Sequence, residues 1–420
     1  MLRLPISAMF LVLLLACFFL SSVGIRPVKS SSRTIIVPDD YPSIKEAIEA
    51  AKDGDTVFVR SGTYQQPMVD NDVPHMTISK SISLIGQDRN TTIIQAYGLR
   101  HIIVVEADNV VIKGFTFLYG FIGCWVKGSG CLITENNFVE CDDGINLERS
   151  NNTVSNNYCV GLTDVGVVVH GSDNNVITSN IIQNCVLAGI YVFSGSGNTV
   201  VRNEVTNCMD AGIVLDYYSV NNLVAHNNVS MNGYGTDMDR DWLFTSGIAL
   251  TISSASNIIR NNYIFENRYG MFQRRASNNL IYHNSLINNQ NQELDESSSS
   301  TNIWDDGYPD GGNYWSDYVG IDQKHGFYQN LTGTDGIGDT PYIMDISNVD
   351  HYPLMRPFTP AFGDVNNDGM VNMIDIGIVA SAFGSFPDHP RWNPEADINQ
   401  DEIIDLRDVA IVAQNFQILF

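Results

Sequence analysis

Short stretches of alternating apolar and polar residues fill the middle of the chain. Residues 175–177 and 189–192 are typical, and glycine, asparagine and serine separate such stretches from one another. These stretches do not show the apolar spacing of three and four residues that an amphipathic helix requires. The pattern therefore predicts many short β-strands joined by tight corners.

Pairs of asparagines five positions apart return at intervals of 22 to 24 residues, with one interval of 35. The pairs are Asn152/Asn157, Asn175/Asn180, Asn198/Asn203, Asn222/Asn227, Asn257/Asn262 and Asn279/Asn284. A column of glycines keeps the same step, at Gly144, Gly166, Gly189, Gly212, Gly247 and Gly270. In a solenoid with one repeat per turn, each position stacks on its counterpart at about 4.8 Å, so the asparagines form amide ladders. The sequence thus predicts an all-β fold, a right-handed parallel β-helix with coils of about 23 residues.

A solenoid needs a cap at its first coil, and residues 43–52 supply one. Their pattern predicts a short amphipathic helix in which Ser43 is the N-cap and Glu46 completes a capping box. Its apolar face consists of Ile44, Ala47, Ile48 and Ala51. We therefore expect the β-helix to begin near residue 35.

The other end of the solenoid is predicted at residues 301–358, which depart from the repeat and are rich in aromatic residues and glycine. Such residues, packed over the last coil, would cover its open edge. The alternative for this segment is a calcium site at Asp335 and Asp339, although two carboxylates are few for a shell of 6–8 oxygens. The predicted boundaries are 35–300 for the β-helix and 301–358 for its C-terminal cap.

The segment VPDDYPSIKEAIEAAKDGDTVFVRSGTY, residues 37–64, resembles the opening of pectate-lyase-like β-helix proteins. The repeats that follow resemble the carbohydrate-binding and sugar-hydrolase repeat family. The accessory β-helix protein of copper-site maturation in nitrous-oxide reductase belongs to the same group. The resemblance covers roughly residues 35–358. It implies the fold more specifically than it implies a reaction.

Residues placed at fixed offsets from the glycine column would face outward on one sheet, because strand side chains alternate. The candidate catalytic residues on this face are Asp142, Asp143, His170 and Asp216. The candidate substrate-binding residues are Asp164, Tyr191, Phe193, Asp210, Trp242 and Arg274, of which Trp242 belongs to an insertion at about residues 231–245. Paired carboxylates suit glycoside hydrolysis, and the carboxylate pair with a histidine one coil on resembles the polygalacturonase arrangement. The competing interpretation is a solvated acidic face without chemistry.

The first 24 residues have one positive charge, at Arg3, and an apolar run over residues 9–20, which predicts a secretory signal peptide. A lipidation site at Cys17 is the alternative. Later segments fall short of the ~18 apolar residues of a membrane helix, so no membrane span is expected in the mature chain. The net charge of −24 argues against nucleic acid and anionic membranes as partners.

Six cysteines follow the signal peptide, and they are Cys124, Cys131, Cys141, Cys159, Cys185 and Cys208. Outside the cell, disulfides are permitted, but a chain of this size does not require them. Cys185 and Cys208 lie one repeat apart, which favours stacked interior thiols. A copper site would require histidine, methionine and cysteine to converge, and the sequence gives no such grouping.

Two twelve-residue segments of the tail, 364–375 and 397–408, have the ligand spacing of calcium loops. The predicted side-chain ligands are Asp364, Asn366, Asp368, Asn372 and Asp375 in the first loop, and Asp397, Asn399, Asp401, Asp405 and Asp408 in the second. The backbone carbonyls of Met370 and Ile403 occupy the seventh position of each loop. The loops lie 33 residues apart, and apolar helices are predicted after each, over 376–383 and 409–416. The spacing predicts two bound Ca²⁺ ions.

This tail, residues 363–420, resembles a type I dockerin, because aspartate closes each loop where an EF-hand has glutamate, and no helix precedes the first loop. The resemblance implies calcium-dependent folding and binding to a cohesin-like protein. The positions before the last ligand, which carry Ser/Thr pairs in many dockerins, are Met373-Ile374 and Leu406-Arg407 in this chain.

These features together favour a secreted or cell-surface β-helix protein that binds a polysaccharide and is tethered through a calcium-dependent module. Whether it is an enzyme stays open, and a hydrolase, a lyase and an epimerase are the alternatives if it is. A non-catalytic spacer or adhesion protein is the competing function, and a copper-processing accessory protein is the third.

Overall fold

The computed structural model describes residues 32–65, 76–96, 101–235, 245–296, 300–358, 363–365, 371–387, 389–399 and 403–416. Its larger part is a right-handed parallel β-helix of about 11 turns, as the repeat predicts. Three parallel sheets run along its length, and each coil contributes one strand to each sheet in turn.

The strands of the three sheets are short, most of them three to six residues long. Sheet I comprises Thr34–Val37, Thr56–Val59, Ser83–Gly86, Val111–Lys113, Leu132–Thr134, Thr153–Ser155, Val176–Thr178, Thr199–Val201, Leu223–Ala225, Ile258–Arg260, Ser277–Tyr282 and Thr301–Ile303. Sheet II comprises Met76–Ile78, Ile103–Val105, Ile122–Val126, Asp143–Leu147, Val167–His170, Ala188–Phe193, Ala211–Asp216, Ser246–Thr251, Tyr269–Arg274 and Asn291–Asp295. Sheet III comprises Gly62–Gln65, Thr92–Gln95, Thr116–Leu118, Asn137–Val139, Tyr158–Val160, Ile181–Gln183, Glu204–Thr206, Asn228–Ser230, Tyr263–Phe265, Ser285–Ile287 and Tyr314–Trp315.

The core of the β-helix is a set of stacked apolar columns. In sheet II, Val167 pairs with Ile190 and Ile190 pairs with Ile213, and all three side chains are fully buried. The outward columns of the same strands alternate with these inward ones, as the two-residue period of a strand requires. Sheet II therefore carries an ordered set of outward side chains, and those of Ala211–Asp216 and Ser246–Thr251 are buried.

From Asn136 onward, asparagine ladders lie at two corners of the successive coils, as the sequence predicts, and a third ladder lies beside them. The first runs through Asn152, Asn175, Asn198, Asn222, Asn257, Asn279 and Asn302; the second through Asn136, Asn157, Asn180, Asn203, Asn227, Asn262, Asn284 and Asn313; the third through Asn232, Asn267 and Asn289. Within each ladder the backbone N–H of one coil donates to the Oδ1 of the next asparagine at 2.8–3.1 Å. Buried amides are thus satisfied by their own kind along the axis.

Replacement of Asn203 by alanine is expected to destabilise the β-helix by about 3 kcal/mol, because it removes a buried side chain with partners on both sides. Its Oδ1 accepts the backbone N–H of Asn180 at 3.0 Å, and its Nδ2 donates to the carbonyl oxygen of Ile177 at 2.9 Å. Urea unfolding followed by far-UV circular dichroism measures the loss. The exposed strand residue Asn228, replaced by alanine, is the control and should change the midpoint little. Equal midpoints for both variants would contradict the ladder's contribution.

The six cysteines are buried free thiols in the part of the chain that the structure describes. Cys208 precedes the third ladder directly, since its backbone N–H donates to the Oδ1 of Asn232 at 2.9 Å. Burial raises the pKa of the Cys141 thiol to about 12, which keeps it protonated and unreactive. These thiols fill the interior, in keeping with the stacked arrangement that the repeat favours.

The N-terminal cap is the helix Ile44–Ala50, which is shorter than the predicted segment. The hydroxyl of Ser43 accepts the backbone N–H of Glu46 at 3.2 Å, so Ser43 is the N-cap. Ile44, Ala47 and Ile48 are buried, which places the apolar face against the first coil.

In the C-terminal cap, Asn348 and Asp350 belong to the same hairpin and accept the last backbone N–H groups of two ladders. Two antiparallel hairpins occur in this cap, formed by Lys324–His325 with Leu331–Thr332 and by Tyr342–Ile343 with Val349–Asp350. Asn348 accepts the backbone N–H of Asn302 at 3.2 Å and the indole N–H of the buried Trp304 at 3.1 Å. Asp350 accepts the backbone N–H of Asn313 at 2.7 Å and the indole N–H of the buried Trp315 at 2.8 Å.

The carboxylates of Asp335 and Asp339 are used inside this cap. Asp335 accepts hydrogen bonds from the Gln329 side chain and from the backbone of Ile337, at 2.9 and 3.1 Å. Asp339 accepts the backbone N–H groups of Gln323 and Lys324 at 3.1 and 2.9 Å. These contacts fold the loops of the cap.

Stability should fall as pH rises from about 4 to about 7, because burial raises the pKa of Asp350 to about 7. In the unfolded chain this carboxyl has a pKa near 4. Between pH 4 and pH 7 the folded state therefore binds the proton more tightly than the unfolded state does. The stability that this proton contributes is lost as the pH rises through 7. Burial raises the pKa of Glu293 to about 7 as well. The expected slope is up to about 1.4 kcal/mol per pH unit for each group. Denaturant midpoints of the β-helix at pH values from 4 to 8 measure it, and a midpoint that rises over this range would contradict the expectation.

The tail folds around its own small core, which contains Val365, Val371, Val379, Ala382, Ala396, Ile404 and Val412. Its helices are Met373–Ala382 and Leu406–Gln414, with a 3₁₀ turn at Pro394–Ala396. Both helices begin three residues earlier than predicted, because Asn372 and Asp405 are their N-caps. Among the described residues, no helix has the length and apolar character needed to span a membrane.

Candidate functional site

A cleft of about 440 Å³ opens on the outward face of sheet II. Its polar lining consists of Asp143, Asp164, Tyr191, Asp210, Asp216 and Arg274, and its apolar lining of Val165, Val168, Leu187, Ala188 and Ile252. These residues come from successive coils, so the stacking of coils assembles the site. The result is a floor of apolar side chains with carboxylates around it.

Strand register explains why these side chains meet. Val168 pairs with Tyr191, and Tyr191 pairs with Val214, which forms one outward column. Phe193 pairs with Asp216 two positions further along the same strands, which starts a second outward column. The two columns are those that lie two and four residues after the glycines.

Asp143 has the most perturbed carboxyl group in the cleft. Burial, together with the nearby charges of Asp164 and Asp142, raises its pKa to about 7. The backbone N–H of Val165, which donates to Asp143 Oδ1 at 3.2 Å, opposes this shift. Asp143 therefore holds a proton over much of its population at neutral pH.

Asp216 is buried and engages both of its oxygens. The Tyr191 hydroxyl donates to Asp216 Oδ2 at 2.5 Å, and the Thr251 hydroxyl donates to Oδ1. Burial, followed by this bond to Asp216, raises the pKa of the Tyr191 hydroxyl. Tyr191 thus stays a neutral donor that is held in place by an aspartate.

Of the predicted site residues that the structure describes, three do not line the cleft. Asp142 accepts the Thr163 hydroxyl at 2.5 Å, on the outer side of its corner. His170 is exposed at the end of its strand, and the centroid of its ring lies 5.3 Å from that of Phe193. Phe193 lies at the rim with it, and Trp242 falls outside the described residues. The structure does not bring Asp142 or His170 into the cleft beside Asp143.

Sequence reasoning missed the apolar floor. Val165 and Ala188 each precede a glycine of the column, and Val168 follows one by two positions. The prediction considered mainly charged and aromatic residues and omitted these apolar ones. An apolar residue at an outward position was the available signal.

The two calcium loops present buried carboxylates in matching geometry. Asp375 accepts the backbone N–H of Val365 at 2.7 Å and that of Asn372 at 2.8 Å. Asp408 makes the same contacts in the second loop, with Ile398 at 2.9 Å and Asp405 at 2.8 Å. Both final-position aspartates are therefore fixed by backbone donors in the same way.

The remaining predicted loop residues differ in their exposure to solvent. Asp364 and Asp397, at the first position of each loop, are buried, and Asn399 is half-buried. Ile403 is exposed, while Asn366, Asp368, Met370 and Asp401 lie outside the described residues. Four buried carboxylates in so small a module are ligands of the kind that calcium prefers.

Family models divide the chain into three parts. Residues 100–241 match the right-handed beta helix region, residues 243–320 match the periplasmic copper-binding protein NosD, and residues 362–417 match the dockerin type I domain. The chain is a right-handed β-helix with a C-terminal dockerin type I domain. No curated protein matches it.

Solved structures similar to this chain share the β-helix fold. The A-module of mannuronan C-5 epimerase AlgE6 from Azotobacter vinelandii is 14% identical, with a TM-score of 0.41, over 61% of this chain and 91% of that one. The Dettilon tailspike protein is 13% identical, with a TM-score of 0.47, over 69% of this chain and 61% of that one. Pectate lyase Pel9A is 14% identical, with a TM-score of 0.43, over 66% of this chain and 81% of that one.

Dockerin type I domains bind calcium and generally bind cohesins, and the dockerin and NosD matches indicate an extracellular or cell-surface location. The described residues contain no group of three His, Cys, Asp or Glu side chains that could hold a metal ion, in the NosD-matching segment or in the described parts of the calcium loops. We therefore assign no residues to copper.

Proposed function

We propose that this protein binds a polysaccharide in the sheet II cleft and hydrolyses its glycosidic bonds, while the dockerin domain tethers it through calcium. The observation that carries the proposal is Asp143, a carboxyl group with its pKa raised to about 7, in a cleft beside Asp164 and Asp210. A protonated carboxyl next to further carboxylates is the requirement of acid–base glycoside hydrolysis.

The lining of the cleft suits a sugar polymer. Its apolar floor, including Val168 and Leu187, can contact the C–H face of a sugar ring, and its carboxylates can accept hydroxyl hydrogens. Because the cleft crosses several coils, it can follow more than one sugar unit. This arrangement favours an extended glycan over a compact ligand.

The charge of the cleft favours a neutral glycan over a polyuronide. Among the described residues, four aspartates line it against one arginine, Arg274, whose guanidinium is also paired with Glu296. A uronate carboxylate would meet like charges at close range, which disfavours its binding. We therefore propose neutral hexose or pentose polymers as substrates.

In the proposed reaction, Asp143 donates its proton to the glycosidic oxygen as the C–O bond breaks. A second carboxylate, that of Asp164 or Asp210, assists the attack of water on the anomeric carbon and takes up a proton. The oxygen of water becomes the new anomeric hydroxyl of one product. Asp143 gives the other product the proton of its new hydroxyl, and the proton that water releases to the second carboxylate restores the protonation of the site. Asp216 has a positioning role, because both of its oxygens are engaged by Tyr191 and Thr251.

Incubation of the full, calcium-loaded chain with a panel of neutral glycans and polyuronides tests this function. We expect new reducing ends from at least one neutral glycan, together with binding by calorimetry. Products with the ultraviolet absorbance of unsaturated uronides would identify a lyase and contradict hydrolysis. Absence of both binding and turnover across the panel would overturn the proposal.

The tether is proposed to hold two Ca²⁺ ions and to present an apolar docking surface to a cohesin-like partner. Met373, Ile374 and Leu406 are 66%, 58% and 72% exposed at the starts of the two helices. Met373 and Leu406 occupy matching positions 33 residues apart, so each predicted calcium loop contains an exposed apolar residue. A partner with apolar side chains at its contact surface fits these residues.

A further inference from the structure

Three aromatic side chains, Phe193, Tyr217 and Tyr218, form a stack that we call the aromatic platform. The rings of Phe193 and Tyr217 are parallel to within 1°, with centroids 5.1 Å apart. The ring of Tyr218 meets that of Tyr217 edge-on at 5.0 Å. Tyr217 is 44% and Tyr218 is 58% exposed, so much of this aromatic surface faces water.

The backbone beneath the platform is unfavourable for tyrosine. Tyr217 and Tyr218 have φ values of 49° and 61°, and the left-handed region costs a residue with a Cβ about 1–2 kcal/mol. The equivalent turn one coil earlier has serine, Ser194, in this region. Two adjacent tyrosines in such a turn, with their rings left in water, point to a use for the rings outside the fold.

The platform adjoins the cleft through the chain itself. Tyr217 follows Asp216, which lines the cleft, and Phe193 lies two residues after Tyr191, which also lines it. The rings of Tyr191 and Phe193 lie 6.3 Å apart and within 19° of parallel. Successive ring contacts therefore lead from Tyr191 in the cleft to the corner between sheets II and I.

We propose that the aromatic platform is a subsite for one pyranose ring of the polysaccharide, at the edge of the cleft and outside the point of cleavage. The C–H face of a pyranose is apolar and matches an aromatic ring in size, so stacking removes both surfaces from water. This inference rests on the proposed function, since the platform binds the same polymer as the cleft.

Replacement of Tyr217 by asparagine tests the platform, because asparagine tolerates the left-handed conformation and only the ring is lost. We expect KM for the polymer to rise about tenfold with kcat nearly unchanged, as the loss of a single stacking contact predicts. Tyr218→Asn should act in the same direction, and Tyr217→Phe should retain wild-type KM. An oligosaccharide too short to leave the cleft should be cleaved equally by all variants.

Tyr263, an exposed aromatic residue on sheet III, provides the matched control as Tyr263→Asn, which should leave KM unchanged. Thermal unfolding of each variant verifies the fold. If the wild type cleaves a glycan and both Tyr217→Asn and Tyr218→Asn have the wild-type KM, the aromatic platform is not a sugar subsite, and the proposed function stands. If the wild type neither binds nor cleaves any glycan, both proposals fail together.

Discussion

Replacement of Asp143 by asparagine is expected to lower kcat for glycan hydrolysis by about 10²- to 10⁴-fold, the usual contribution of a general acid. Asparagine has nearly the same shape and can still accept the Val165 N–H, but it has no proton to donate. The pH profile should change as well. In the wild type, kcat should fall as pH rises through about 7, because the pKa of Asp143 lies there.

Asp173 provides the matched control for this variant. It is an exposed aspartate at a corner of the β-helix whose carboxylate also accepts a backbone N–H, that of Ser196, at 2.8 Å. Asp173→Asn should retain wild-type kcat and its alkaline decline. If Asp143→Asn kept the same rate and the same decline near pH 7, Asp143 would not be the general acid.

Removal of calcium is expected to unfold residues 363–420 while the β-helix stays folded. The carboxylates of Asp364, Asp375, Asp397 and Asp408 are buried in a module whose apolar core contains few side chains. Burial disfavours the charged form of a carboxylate, and a bound cation would offset this cost. Calcium at 100 times its Kd stabilises the folded module by about 2.7 kcal/mol per site, enough to decide whether so small a domain folds.

Hydrogen exchange on the full chain, with calcium and then with an excess of chelator, measures this effect. Amides of the helices Met373–Ala382 and Leu406–Gln414 should lose protection on chelation, and calcium should restore it. The ladder amides of the β-helix in the same sample are the control and should stay protected. A tail that remains protected without calcium would contradict metal-dependent folding. Asp408→Ala should weaken the second site selectively.

The period of the sequence predicted the fold because a solenoid repeats its contacts coil by coil. Two asparagine columns were visible as fixed pairs, and both became ladders. The third ladder was not visible in the sequence, because earlier coils have Cys185 and Cys208 at the positions where later coils have Asn232 and Asn267. A column that changes residue type part-way along has no compositional signal, although its geometry continues.

The candidate site was predicted less completely, because alternation gives the face of a side chain and not its depth. Asp143, Asp164, Asp210 and Asp216 do line one cleft. His170 shares the predicted outward direction but ends its strand just before Gly171, which has a φ of 56°, and so lies at the rim. Neighbouring side-chain volumes decide which outward residues enclose a cavity, and those depend on contacts several coils apart.

The ladders also give the solenoid a direction, with consequences for how separate molecules meet. The backbone N–H of every ladder asparagine donates toward the C-terminal end, so an uncovered last coil would offer unpaired donors to the first coil of another molecule. Asn348 and Asp350 accept the terminal N–H groups of Asn302 and Asn313, and the helix Ile44–Ala50 covers the opposite end. The two caps thereby cover the edges at which separate molecules could otherwise stack end to end.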